Sequence, residues 1–314
     1  MTSAVAPTES ATLVPRSISE LIPTATLALG KTADWVAIGS DAVWVGSTGP
    51  FAVHRIDPKT NRVVAAVALP GAPCAGLAMG FGSLWIPMCT AAPSLAKVDL
   101  ASSRLIATFD VGAAAAEAGV TVDEQGVWLV TDQHGSLVRI DPHNGAVRAT
   151  VPIAAGSYNP HYSAGTVWVS QAEGSRLTGV DTASLQVRAV VTTGPNPRFL
   201  TSGGGAIWTL NQGDGTVTRI DAHTHITTSI ALRTPGHGGD IKFDGGLVWS
   251  TMPKMPLSVI DAKSKQLKCQ WAGPGGDSLG LGFGAIWLTD YDAGTVSRIP
   301  IDAALSKCAS APPA

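Results

Sequence analysis

Two short frames in the chain place reactive side chains at matching positions. Asn159-Pro160-His161-Tyr162 is followed by Asn196-Pro197-Arg198-Phe199. Aligned on these frames, an imidazole and a guanidinium project side by side. Histidine titrates near neutrality and can act as a general base. Arginine can hold a carboxylate or enolate oxygen in bidentate fashion. On this reading His161 is the base and Arg198 its oxyanion partner. Asp240 and Asp277 supply oxygen ligands for a divalent cation, Mg2+ or Ca2+. Asp34, Trp35, Glu117, Tyr158, Tyr162, His237 and Tyr291 are the binding residues around them. Other clusters carry less. His143 and the pair His223 and His225 fall on turns. The glycine runs at 203–205, 238–239 and 275–276 lack the strand–loop–helix setting of a phosphate cradle. No serine lies in a nucleophile-elbow context.

A repeat must position these residues. Trp44, Trp85, Trp128, Trp168, Trp208, Trp249 and Trp287 recur at spacings of roughly 40 residues, each closing a Gly-rich hairpin such as GFGSLW or GGGAIW. A turn-forming Asp follows six of them: Asp57, Asp99, Asp141, Asp181, Asp221 and Asp261. In the seventh repeat Pro300 takes that place. Such a period, with about four short strands and one aromatic per unit, predicts an all-β, seven-bladed β-propeller of four-stranded antiparallel blades. The repeated Trp is then a large apolar plate packed between blades. Trp35 lies outside the repeat and starts an innermost strand.

The last repeat lacks an outer strand, and residues 24–29 supply one from the other end of the chain. Ring closure by this N-terminal strand removes an exposed sheet edge. The expected organisation is a flexible tail at 1–20, one propeller at 21–305 and a Pro-rich tail at 306–314. In a propeller the D–A junctions and B–C loops share one face around the central channel. The D–A junctions bring Asp34, Cys74, Glu117, His161, Arg198, Asp240 and Asp277 to that mouth, one from each blade. A carboxylate-lined funnel can hold a divalent cation or a cationic ligand. Equally, channel mouths are wet, and polar residues there need no function.

Composition narrows the partners. Only 14% of the 314 residues are charged and the net charge is −2, which gives no electrostatic footprint for nucleic acid. No apolar run is long enough for a membrane span. The expected partner is a small molecule, oligosaccharide or peptide at the channel mouth of a monomer. Of four cysteines, Cys74 and Cys89 flank the hairpin at Phe81-Gly82 symmetrically, so two antiparallel strands place them opposite each other within disulfide reach. Cys269 and Cys308 remain as a second pair. An even, pairable count points to an oxidising compartment. With no apolar leader at its N-terminus, the chain reads either as cytosolic or as a mature exported protein whose leader has been removed; the cysteines favour the second, periplasmic or secreted.

The Gly-x-x-x-(Val/Ile)-Trp hairpin and the Arg-Ile-Asp turn, as in Trp128…Arg139-Ile140-Asp141 and Trp208…Arg219-Ile220-Asp221, resemble the propellers of the YVTN-repeat and virginiamycin B lyase (streptogramin lyase) group over residues 24–302. That resemblance implies metal-assisted β-elimination on a cyclic depsipeptide by histidines that follow a proline on innermost strands. Pro160-His161 matches this feature. No repeat carries the family's W-F-T-E; the nearest is Trp287-Leu288-Thr289-Asp290. The functional expectation is an exported lyase that abstracts a proton and eliminates from a small or oligomeric carbonyl, lactone or uronate compound. Its alternative is a non-catalytic propeller that binds a ligand or protein.

Overall fold

The computed structural model of the chain describes residues 13–309. Seven antiparallel sheets form the blades of a propeller. The inner strands of blades 1 to 7 are Thr32–Ile38, Ala78–Gly80, Val120–Val122, Ser157–Ser163, Pro197–Gly203, Asp240–Asp244 and Leu279–Gly282. The repeated tryptophans sit on the second strands and are at most 4% exposed. Four of them lie under a basic side chain of their own blade: Lys97 over Trp85, Arg139 over Trp128, Arg219 over Trp208 and Arg298 over Trp287. Three of these cations reach on to the next blade: Lys97 donates to Pro142 O, Arg139 to Thr182 O and Arg298 to Pro58 O. The basic residue two places before the turn position is thus an inter-blade strut in these three blades, whereas Arg219 pairs with Asp221 of its own blade. Asp57, Asp99, Asp141, Asp181, Asp221 and Asp261 each accept backbone N–H bonds from their own turns. This is the turn-forming use of an Asp side chain; hydrogen bonds hold all six carboxyls below the usual range, led by Ser102, Arg148 and Ser184 side chains at Asp99, Asp141 and Asp181 and by backbone N–H groups at Asp57, Asp221 and Asp261.

The hairpins before the tryptophans follow from backbone sterics. At Phe81-Gly82 both residues have positive φ, 55° and 67°. That is the turn whose twist matches two antiparallel strands. A Cβ on Gly82 would meet nothing within 4 Å, so the glycine serves backbone conformation and not packing.

Ring closure occurs as expected. Strand Ala25–Ala28 pairs with Thr295–Pro300, placing it outermost in the blade of Trp287. The termini depart from the expected tails. Arg16–Ser17 pairs in parallel with the outer strand of blade 6, at Arg16↔Trp271 and Ser17↔Ala272, and so adds a fifth strand there. A 3-10 turn at Ile18–Glu20 follows, with a capping box between Ser17 and Glu20. Ile18 and Leu21 pack with Trp249, Trp271 and Leu288, which is why the segment docks. Residues 1–12 lie outside the described residues. At the other end, part of the expected 306–314 tail belongs to the helix Ile301–Ala309, whose Ala304 is fully buried. Ala, Leu and Lys favour that helix, and residues 310–314 lie outside the described residues.

Both disulfides form. Cys74–Cys89 has a Cα–Cα distance of 5.6 Å and Cys269–Cys308 one of 5.5 Å. The first does not join directly opposed residues. Ala78↔Trp85 keeps the expected register, but upstream the pairing slips to Pro73↔Met88. Cys74 N therefore donates to Pro87 O, and the sulfur bridge runs diagonally. No helix among the described residues is long and apolar enough to cross a membrane.

Candidate functional site

The register of the inner strands sorts the axial residues into layers. The residue paired with each repeat Trp is Ala37, Ala78, Thr121, His161, Thr201, Lys242 or Gly280. Each lies seven positions before its tryptophan. His161 and Lys242 therefore share a layer. Arg198 lies ten positions before Trp208 and belongs higher. The two Asn-Pro frames, 37 residues apart, do not superimpose structurally; Ser157↔Gln171 corresponds to Pro197↔Asn211. The structural counterpart of His161 is Thr201, and that of Arg198 is Tyr158. His161 and Arg198 do not project side by side.

Trp35 divides the channel. A bulge between Asp34 and Val36 leaves Trp35 as an extra residue at φ 58°. Its indole crosses from blade 1 to blade 5, 5.9 Å from the Phe199 ring, and only 7% of the residue is exposed. A positive φ is unusual for a bulky side chain and costs on the order of 1–3 kcal/mol, which the surrounding packing must offset. On one side lies a mouth of about 410 Å³, lined by Asp34, Glu117, His237, Asp277, Tyr291 and Cys74 among others. On the other lies a chamber of about 190 Å³, lined by Asn159, His161, Asp240 and Lys242. Trp35 lines both. The candidate catalytic and metal residues are thereby split: His161 and Asp240 lie in the chamber, Asp277 in the mouth.

In the chamber, His161 serves a seam. Thr121 Oγ1 accepts from the Tyr162 N–H at 3.0 Å, and Thr201 Oγ1 accepts from the Phe243 N–H at 3.1 Å, each bond tying one blade to the next. His161 makes the equivalent tie between blades 4 and 5 through Nε2 and Ser202 Oγ at 2.9 Å. Burial, reinforced by the nearby Lys242 charge, pulls its pKa down to about 4. The imidazole is neutral at physiological pH and a weak proton acceptor. Lys242 Nζ donates to Asp240 Oδ1 at 2.8 Å. Asp240, 5% exposed, also accepts from the Ile241 N–H. Lys242, which the sequence reading missed, is found by counting seven residues back from Trp249.

In and around the mouth, Asp34 and Asp277 meet across the seam between blades 1 and 7. Burial holds Asp34 well above the carboxylate range, with the charge of Asp277 adding to it; burial likewise raises Asp277. Asp277 Oδ1 accepts from the Gly239 N–H at 3.3 Å. Arg198 lies outside both cavities. Its guanidinium sits 4.0 Å from the centre of the Tyr158 ring and 3.9 Å from Glu117 Oε2. The Tyr158 hydroxyl donates to Ala116 O. Tyr162 turns away from the mouth, donates to Glu124 Oε2 at 2.8 Å, and packs among the apolar residues around Trp128. His237 and the exposed Tyr291 line the mouth. Among the described residues, no three His, Cys, Asp or Glu side chains are grouped to hold a metal ion.

The seam role of His161 makes a measurable prediction. A histidine whose pKa is lowered on folding destabilises the fold as pH drops below its unfolded value, because only the unfolded chain takes the proton. The loss runs from about pH 6.5 down to about 4 and amounts to roughly 3 kcal/mol. His161→Gln keeps a partner for Ser202 and cannot titrate. Urea unfolding across that window is expected to show a flatter acid limb for the variant. Identical limbs would remove His161 as the cause.

Comparisons with known proteins support the architecture. No family model matches the chain, and no curated protein matches it in sequence. Solved structures do. BamB from Moraxella catarrhalis superimposes with a TM-score of 0.62 at 13% identity, covering 90% of this chain and 98% of that one. The WD40 β-propeller domain of Doa1 does so with a TM-score of 0.71 at 11% identity, covering 89% and 96%. At such identities the likeness is one of fold.

Proposed function

We propose that this chain is a non-catalytic binding propeller, exported to the periplasm or beyond, which takes a ligand or a protein segment at the mouth above Trp35. The observation that carries this reading is the divided channel. Catalysis by proton abstraction needs a base, a charge-stabilising group and the reacting carbon within a few ångströms. His161 and Asp240 are below the indole, Asp277 is above it, and Arg198 is stacked on Tyr158. The mouth, by contrast, is a formed concavity, more apolar than polar, with a few carboxyls and an aromatic rim, as binding sites usually are. The disulfides fit an oxidising compartment.

The test runs two readouts on one compound panel of lactones, cyclic depsipeptides, uronate sugars and short peptides. Mass spectrometry follows consumption, and thermal melts follow binding. The expected result is that some compounds raise the melting temperature and none is consumed. Consumption that disappears in His161→Gln would restore the lyase reading and overturn this one.

A further inference from the structure

The charge balance at the mouth singles out one ligand chemistry. The nearby carboxylates already have cations: Glu117 lies 3.9 Å from Arg198, and Asp240 lies 2.8 Å from Lys242. Asp34 and Asp277 have none among the described residues. They stand together in a cavity of about 410 Å³ whose inner end is the indole of Trp35 and whose rim carries Tyr291. Gly238 helps keep the space open. It has φ 84°, and a Cβ there would sit 3.0 Å from Asp277 Oδ1.

We propose that the mouth is a binding site for a single alkylammonium group, held on the cavity side of the Asp34–Asp277 carboxyl pair and against Trp35. An organic cation gains from an aromatic wall and from a carboxylate together, and the cavity provides both within one enclosure. A bare divalent ion would use neither the indole nor most of the volume, and would need converging oxygen ligands that the described residues do not group. Two close carboxyls that share a proton carry one negative charge, which matches a monocation. Both groups are raised, the charged groups near them are Glu117 and Asp240 with its Lys242, and the ring of His237 lines the same cavity. The mouth also continues past Asp277 and Tyr291 into a groove of about 650 Å³ between blades 6 and 7, lined by Pro253, Lys254 and Asp292. That groove has room for the chain that carries a lysine side chain. The inference rests on the binding reading above and specifies its ligand.

Calorimetry tests it with four probes: N-acetyl-lysine methylamide, its uncharged norleucine isostere, n-butylamine and calcium chloride. Both ammonium compounds are expected to bind and the norleucine compound to bind at least tenfold more weakly. Binding is expected to strengthen as pH rises from 5 to 8, because the raised carboxyl pair gives up protons and the cation binds its anionic form. Asp34→Asn and Asp277→Asn, each checked by thermal melting, are expected to weaken ammonium binding at least tenfold while melting no lower than the parent. If Tyr291→Ala weakens the lysine compound alone, the ammonium arrives on a peptide; equal loss for both points to a free amine. Equal binding of lysine and norleucine compounds, full binding by folded Asp34→Asn, or binding of calcium alone would each overturn the proposal. Those outcomes leave the binding reading intact, since that reading falls only on His161-dependent turnover.

Discussion

Removal of residues 1–30 is expected to abolish cooperative folding. The deletion takes the strand Ala25–Ala28, which pairs with Thr295–Pro300 from the other end of the chain, together with Leu21 and Leu29 from the core. Blade 7 then has three strands and a bare edge, and blade 6 loses its fifth strand. A domain has only about 5–15 kcal/mol of net stability, and this deletion removes a whole blade strand and two core leucines, each worth roughly 2–5 kcal/mol. Deletion of 1–23 spares the closing strand. That variant is expected to melt earlier than the parent but still cooperatively. Calorimetric melts compare the three chains, and matching transitions for the two truncations would refute closure by the N-terminal strand.

Loss of the Cys269–Cys308 bridge is expected to have the next largest effect. The bond spans 39 residues and staples the helix Ile301–Ala309 to the outer strand of blade 6. A loop of that length corresponds to about 4 kcal/mol of stabilisation through the unfolded chain. Cys74–Cys89, with a separation of 15, corresponds to about 3 kcal/mol, and its strands already pair locally. The double variant Cys269→Ala/Cys308→Ala should lose more in urea unfolding than Cys74→Ala/Cys89→Ala. The reverse order would mean that the terminal helix contributes little to holding the ring seam.

The fold was legible because one residue type, Trp, marks each unit, and because glycine and aspartate mark the turns for backbone reasons that sequence alone exposes. Ring closure was legible because a missing strand at one end matched a spare one at the other. The site was less so. The shared Asn-Pro dipeptides suggested a 37-residue offset between His161 and Arg198, whereas the blades themselves repeat at 40, and counting from the tryptophans would have paired His161 with Thr201. The same count reveals Lys242. The position of Trp35 across the axis was not readable, because it depends on a bulge that turns a bulky residue to positive φ, a conformation that propensity disfavours. The docked termini were hidden for a related reason: short segments such as 16–20 gain structure from the surface they meet, not from their own pattern.

A ring of seven blades encloses a tube, and in this chain Trp35 is wedged across it against Phe199. Trp35 is the wall that the cavity beside Asp34 and the cavity beside His161 share. The partition is not an electrical one: the Asp240 charge, in the cavity with His161, adds to the raising of Asp34 and Asp277 in the other. A charge bound in one cavity therefore changes the field in the other, and the two ends of the axle act as coupled neighbours.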